Sequence, residues 1–568
     1  MLWRFRDIDR QQAENLAREL HQPLKVGEFL AARRFKSADE VKSFIKADLK
    51  GLPAPLTLTD MDKAVDRLLL ARQKDELIAV CGDYDADGLT ASALLTRGFR
   101  ELGHRVLTRI PNRLTEGYGL KPESVLDLAE RGARLIVTVD NGVSGHEAIE
   151  EAHRQGLEVI ITDHHRLPPD LPPALAVVNP HRDALWREAP PAGVGVAFLL
   201  LAAVKRRYQE EKLLAEGQGP ALMDYLALVA IGTVADLVPL KGANRIMVRH
   251  GLSYLASTRQ PGLAALKKIA RVGGEKIGPR DIGFRLAPRL NAAGRLGSAE
   301  PALELLLAEE EKGAARLALK LEDLNRERHQ GQSRLCAEAL ERLEMECSPD
   351  CRTVVLAGEG WPPGLLGLAA SKVAESTGKP TVLFSLDQDL AVGSGRSSGN
   401  FNLYRALDEM RHFFISFGGH AQAAGLTLKR DFLETFRQTL EALAAEVVDF
   451  SDEAELWVDL EASLADLDSL SRPLAALEPF GQEHPAPVVV VRGAKVADAR
   501  PTDSNGDHHL KLVLGEGLSR RQVFGFNLAP RFCEISRKMD VALSLDVSEF
   551  KGQTSFNWRL LDFRPVEA

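Results

Sequence analysis

The sequence predicts an α/β protein in which a parallel-sheet domain is joined by a long helix to a second α/β domain, with a small all-β domain after it. Apolar runs alternate with helical segments between residues 51 and about 265, as strand–helix–strand units do. Residues 301–346 are rich in charge, with Leu317, Leu321 and Leu324 at helical spacing. The tail beyond residue 450 alternates apolar and polar positions at a period of two. At 568 residues the chain exceeds what one hydrophobic core organises, so about three or four domains are expected. The boundaries read as an N-terminal extension (1–50), the first α/β domain (51–300), a connecting helix (301–350), the second α/β domain (351–448) and the all-β domain (449–568).

Four runs order the first domain. Leu77-Ile78-Ala79-Val80 leads into Gly82-Asp83-Tyr84-Asp85-Ala86-Asp87-Gly88, and residues 135–139 lead into Asp140-Asn141-Gly142. Residues 159–162 lead into Asp163-His164-His165, and residues 176–178 into Asn179-Pro180. In an open parallel sheet the functional crevice lies at the carboxyl ends of the strands, so these polar groups converge although they are distant in sequence. An apolar helical stretch, 222–231, then delivers Asp236 among apolar neighbours, where a lone acid needs a partner or a metal.

The 301–346 stretch reads as one long helix, or as two with a break near Gly331. The second α/β region starts at Thr353-Val354-Val355 and carries Gly393-Ser394-Gly395-Arg396 and a Gly-rich stretch around His420. Asp449, Asp452, Glu453, Glu455 and Asp459 mark a change of composition at a domain junction. Beyond it, Val541, Leu543, Leu545 and Val547 alternate with small or polar residues, and Ser504-Asn505-Gly506-Asp507 marks a turn before Leu510, Leu512 and Leu514. A barrel of the OB type fits this length and strand count.

Apolar content of 45% and charged content of 27% are ordinary for soluble globular proteins. A net charge of −8 gives no global nucleic-acid signature, so a polyanion must be met by a local basic surface. The five scattered cysteines do not form a disulfide framework, and Cys347 and Cys351 lack a second pair at zinc spacing. The N-terminus has no signal-peptide core, and the longest apolar run, 194–204, is too short to span a bilayer. A cytoplasmic chain without a membrane partner is expected.

The three alternating carboxylates at 83, 85 and 87 repel one another unless a cation or protons neutralise them. An EF-hand loop would need a bidentate Glu at its twelfth position, where this chain has Leu94, and it would follow a helix rather than a strand. Joined by Asp140, His164, His165 and Asp236, the set mixes oxygen and imidazole ligands, which suits Mn²⁺ or a similar ion. Two such ions sharing a carboxylate favour hydrolysis of a phosphate ester.

In their order, Gly82 to Gly88, Val139-Asp140-Asn141-Gly142, Asp163-His164-His165 and Gly232-Thr233-Val234-Ala235-Asp236 resemble the four motifs of the DHH phosphoesterase superfamily, and residues 417–425 resemble the Gly-Gly-His-x-x-Ala-Ala-Gly motif of its accessory domain, DHHA1. With the β-rich tail, the chain is similar along most of its length to the superfamily's 5′→3′ exonucleases specific for single-stranded DNA, which act in repair and recombination. The resemblance implies that Asp85, Asp140, His164 and Asp236 hold one Mn²⁺ or Mg²⁺ and that Asp83 with the shared Asp140 holds a second. It makes His165 a catalytic or second-metal residue, Asp163 the partner that orients a histidine, and Asp87 a residue that shapes the loop. Some members carry a histidine four residues before the first motif aspartate; Ala79 stands there in this chain.

The resemblance also implies that Arg113, Arg295, Ser394 and Arg396 hold a 5′-terminal phosphate and that His420 lies between the two α/β domains. Lys267, Lys268, Arg271, Lys276, Arg280, Arg285, Arg289 and Arg295, against Glu275 and Asp281, read as a phosphate-contacting stretch rather than a merely solvated face. Tyr118 reads either as a ring that stacks on a base or as a core aromatic. The implied partners are single-stranded DNA, a helicase and a single-strand-binding protein, with the chain a monomer. The competing readings are a DHH phosphodiesterase for short oligonucleotides or cyclic dinucleotides, which the long chain and barrel argue against, and a non-catalytic DNA-binding scaffold, which the complete motifs argue against.

Overall fold

The computed structural model describes every residue except 216, 275, 349, 446–454, 505–506, 516–519, 551–552 and 567–568. Glu275, the acids at 449, 452 and 453, and the Asn505-Gly506 turn lie outside the described residues. The chain opens with strand β1 (Leu2–Phe5) and three helices, Arg10–Leu20, Leu24–Ala32 and Ala38–Lys46. The first and third start where a short polar side chain satisfies a free backbone donor: Asp9 accepts from the N–H of Gln12, and Ser37 from that of Glu40.

Strands β2 (Leu77–Cys81), β3 (Arg105–Arg109), β4 (Ala133–Val139), β5 (Glu158–Thr162) and β6 (Ala176–Val178) form an all-parallel sheet in the order β3-β2-β4-β5-β6. Both of its faces are covered, which is why these strands are continuous apolar runs rather than alternating ones. Helices Ala86–Glu101, Gly193–Glu210 and Leu222–Ala235 lie on one face, and Pro122–Glu130 and His146–Arg154 on the other. The chain leaves β2 for β3 on one side and returns to β4 on the other, so the switch point lies at the ends of β2 and β4.

The connecting helix Glu311–Glu346 runs unbroken through Gly331, and the break falls instead at 308–310, after helix Glu300–Leu307. Gly331 serves packing: a Cβ there would stand 2.7 Å from a terminal methyl of Leu365, so a larger residue would push that side chain of helix Pro363–Thr377 aside. The second α/β unit holds β7 (Val354–Glu359), β8 (Thr381–Asp387), β9 (Leu390–Arg396), β10 (Phe414–His420) and β11 (Ala423–Lys429) in the order β10-β11-β9-β8-β7, with only β7 and β8 parallel.

Strand β12 (Glu455–Val458) pairs in parallel with β1, so the N-terminal segment belongs to the C-terminal unit rather than standing apart as an extension. Leu16, Phe29 and Leu30 share a core with Leu510, Leu543 and Trp558. Strands β13 (Leu460–Glu461), β14 (Val488–Ser504), β15 (Asp507–Leu514), β16 (Arg521–Gly525), β17 (Lys538–Phe550) and β18 (Gln553–Pro565) follow. Because β17 pairs back onto β14, the ring β14-β15-β16-β18-β17 closes into the five-stranded barrel of an OB fold. Arg245, 2% exposed, fastens this unit to the first: it donates to the carbonyls of Phe44, Leu477, Glu478 and Pro479. No described helix is long and apolar enough to cross a membrane.

Candidate metal centre

The strand ends deliver the expected acids and histidines to one crevice. Asp83 follows β2, and Asp85 caps the helix Ala86–Glu101, its Oδ1 accepting from the N–H groups of Asp87 and Gly88 at 3.0 Å each. Asp140 follows β4 with φ +62°, a left-handed conformation unusual for a residue with a Cβ. His164 and His165 follow β5, and Asp236 caps the C-terminus of helix Leu222–Ala235. Gly193 makes room for this arrangement, since a Cβ there would lie 2.6 Å from that of Asp140.

The ligand-type atoms fall into three groups, each within 4.8 Å: Asp83, Asp85 and Asp140; Asp87, His164 and Asp236; Asp140, His164 and His165. His164 Nε2 lies 3.0 Å from Asp140 Oδ1, 3.6 Å from Asp236 Oδ2 and 3.8 Å from Asp87 Oδ2. Among the described residues, Asp83 Oδ1, Asp140 Oδ1 and His164 Nε2 are buried without a hydrogen-bond partner. Buried polar atoms that converge without partners are what a divalent cation would satisfy, and the mixed carboxylate–imidazole donors fit Mn²⁺ or Mg²⁺.

The grouping differs from expectation in one respect. Asp85 stands with Asp83 and Asp140 rather than with His164 and Asp236, where Asp87 takes its place. Both Asp87 oxygens are committed, however, accepting from Gly193 N–H at 2.6 Å and Val194 N–H at 2.9 Å. Asp87 therefore holds the helix that packs on Asp140.

Burial dominates the electrostatics, and the neighbouring acids add to it. It pushes Asp83 and Asp140 far above the usual carboxylate range, helped by Asp85 at the first and by Asp87, Asp85 and Asp236 at the second. For the same reasons Asp87 rises to about 7 and Asp236 to about 8. Burial and the neighbouring His165 lower His164 to about 3, so it stays neutral and able to ligate. Burial also opposes charge on His165, but Asp163 outweighs it and raises this imidazole to about 9. Asp163 Oδ1 accepts from His165 Nδ1 at 2.8 Å and from the backbone N–H of both histidines, which keeps Asp163 ionised despite its burial.

Folded Asp87 and Asp236 keep protons up to about pH 7 and 8, whereas in the unfolded chain they release them near 4, so the folded state holds more protons across that window and loses stability as pH rises. His165 acts in the same direction between its unfolded value and about 9. Buried neutral His104 and His484, lowered to about 4 and about 3, contribute little slope above pH 7 because their unfolded forms are already neutral. The thermal midpoint of chelator-treated protein will fall from pH 7 to 9, and saturating Mn²⁺ will flatten the profile. A flat profile without metal would contradict this electrostatic picture.

Beside the acids stands a cluster of guanidinium groups. Arg295, lowered to about 9 by burial and by Arg113, Arg328 and Arg396, reaches Gly364 O at 3.4 Å. Arg396, on β9, donates to Ser371 Oγ and Gly395 O and lies 3.4 Å from Ser394 Oγ. Tyr84 joins the two fields, with Arg113 over its ring at 4.9 Å and Asp83 and Asp85 close to its hydroxyl. His420 ends β10 near Arg396 and Arg166. Tyr118 is not a core aromatic: it is 41% exposed, and its hydroxyl reaches Asp140 O and His165 Nδ1, each at 3.1 Å.

Most of the contiguous basic stretch already has partners within the protein. Arg289 turns to Glu322 at 2.6 Å, Arg280 pairs with Asp546, Lys276 with Glu478 and Arg285 with Asp281, while Lys267 caps the carbonyls of Leu255 and Ala256. Of that run, Arg295 faces the crevice. Sequence reading does not single out Arg328, which the connecting helix supplies, or Gly193; the apolar spacing that buries one side of that charged helix is the available signal for Arg328.

Comparison with known proteins agrees with this geometry. The model of the DHH family N-terminal domain matches residues 77–233, the DHHA1 domain residues 351–446 and the RecJ OB domain residues 458–562. A single-stranded-DNA-specific exonuclease RecJ from Dickeya dadantii is 37% identical over 90% of this chain and 91% of its own length. The chain belongs to the RecJ family. The Escherichia coli RecJ is 35% identical over 99% of both chains, and the Bacillus subtilis RecJ 35% over 93% of this chain, which spans 66% of that longer relative. The crystal structure of RecJ in complex with Mn²⁺ from Thermus thermophilus superposes with a TM-score of 0.84 at 30% identity, covering 100% of this chain and 80% of that one. A Mg²⁺ complex of the same RecJ gives 0.78 at 29% identity, covering 100% and 79%.

Proposed function

We propose that this chain is a Mn²⁺- or Mg²⁺-dependent exonuclease that hydrolyses single-stranded DNA from its 5′ end and releases 5′-mononucleotides. The observation that carries the reading is the adjacency of two opposite fields: the acid–histidine cluster and, across Tyr84, the guanidinium cluster of Arg113, Arg295 and Arg396. A 5′-terminal phosphate held by the arginines and Ser394 sets the adjoining phosphodiester over the acids.

Asp83, Asp85, Asp140, His164 and Asp236 would hold two ions, with Asp140 common to both. When bound, such ions favour attack by water and stabilise the leaving oxygen of a phosphate ester. The chain's own residues do the remainder. Asp163 fixes His165 through Nδ1 and keeps it protonated at neutral pH, so its Nε2 is the atom that can donate to a phosphate or leaving oxygen. Tyr118, its hydroxyl 3.1 Å from the same Nδ1, helps to place the ring and offers its exposed face to a base. The OB barrel guides the incoming strand. A helicase that frees the strand and a single-strand-binding protein that keeps it open suit this activity as partners of a monomeric, cytoplasmic enzyme.

Oligonucleotides with a 5′-phosphate or a 5′-hydroxyl test the phosphate site. Wild-type protein will prefer the phosphorylated strand, and Arg396→Ala will lose that preference by roughly 10–100-fold, as loss of a charge-assisted contact does, while cutting 5′-hydroxyl strands as wild type does. An unchanged preference in Arg396→Ala would remove Arg396 from the site.

A further inference from the structure

We propose that the chain carries a second ligand site, for a phosphorylated nucleoside, at the far end of the two helices that bear Asp85 and Asp236. The site is a cavity of about 590 Å³ where the end of helix Ala86–Glu101 meets the start of helix Leu222–Ala235. That volume falls within the usual range for small-molecule sites, roughly 300–1,000 Å³. The two helices are antiparallel between this cavity and the crevice; their 16 and 14 residues put it about 20 Å from the acids.

Three arginines line it, Arg97, Arg100 and Arg259, and among the described residues none has a carboxylate at ion-pair distance. Arg97 lies 5.4 Å over the ring of Tyr225. Tyr225 itself is only 3% exposed, and its hydroxyl lies beside the Glu101 carboxylate, which together with burial pushes the phenol up.

The charges identify the ligand. Unpaired guanidinium groups bind phosphate in forked geometry. Glu101 and Asp224, on the same wall, accept hydrogen bonds from the amino and imino groups of a base. Inorganic phosphate would use only the cations, whereas a nucleoside monophosphate, anionic at one end and donor-rich at the other, uses both. The cavity owes nothing to the metal centre and goes beyond the exonuclease reading, yet each helix ends on a candidate metal ligand, so a ligand that shifts either helix would move Asp85 or Asp236.

Calorimetric titration of the full-length protein, with Mg²⁺ present, by the four deoxynucleoside 5′-monophosphates and by inorganic phosphate tests this. Two variants are compared with wild type: Arg100→Ala/Arg259→Ala, which alters exposed side chains of the cavity, and Arg396→Ala in the crevice. At least one nucleotide will bind saturably, about tenfold or more weakly to the double variant, within twofold of wild type to Arg396→Ala, and more tightly than phosphate. The proposal is overturned by absence of binding, by phosphate binding as tightly as the nucleotides, or by binding that Arg396→Ala removes and the double variant leaves intact. The last would place all nucleotide in the crevice and leave the exonuclease reading standing.

Discussion

Replacing Asp140 by Asn will lower Mn²⁺-dependent release of mononucleotides by more than about 100-fold, beyond what loss of an outer partner of a metal ligand costs, while making the metal-free protein more stable. Both effects come from one position. Asp140 belongs to two of the three ligand groups, at the switch point between β2 and β4, so losing its charge impairs both metal positions. In the absence of metal the same carboxyl group is buried among Asp83, Asp85, Asp87 and Asp236 and must take up on folding a proton that the unfolded chain has released, a cost that Asn does not carry. Asn preserves the shape beside Gly193, where no extra atom fits. Activity assays and thermal melts with and without chelator check both halves. Full activity, or a metal-free protein less stable than wild type, would contradict the assignment.

Arg245→Met will destabilise the protein by about 2–4 kcal/mol, the cost of leaving several buried carbonyls short of a donor. Among the described residues Arg245 has no acidic partner; four carbonyls from two segments share its guanidinium, which also lies 3.6 Å over the Phe44 ring. Burial, with Arg249 nearby, lowers its pKa to about 9, so the charge is held at physiological pH by carbonyl dipoles alone. Glu478 O retains Arg249 and Leu477 O retains His484, which limits the loss. Phe44 and Pro479 lose their side-chain donor outright. Urea unfolding measures the change, and a cost below about 1 kcal/mol would mean that the two units do not depend on this clasp.

The parallel sheet and its strand-end acids are legible in the sequence because strands buried on both faces must be apolar throughout, and because polar residues right after such strands have only the crevice to occupy. The continuous helix past Gly331 is less legible, since glycine reads as a breaker until the neighbouring Leu365 shows that small size is what the position needs. The pairing of β1 with β12 joins residues about 450 apart, and nothing local announces it. The basic run shows the opposite failure. Sequence counts charges but not their partners, and Glu322, Asp546 and Glu478, remote in the chain, absorb Arg289, Arg280 and Lys276. The positive site that faces the acids is assembled from Arg113, Arg295, Arg328 and Arg396, which belong to separate elements and form no run.

Digestion of 5′-labelled and 3′-labelled single strands beside a blunt duplex, with Mn²⁺ or Mg²⁺ supplied, tests the central claim most directly. Labelled mononucleotide will appear at once from the 5′-labelled strand, only late from the 3′-labelled strand, and not from the duplex. Immediate release from the 3′ label, equal digestion of the duplex, or binding without cleavage in either metal would contradict it.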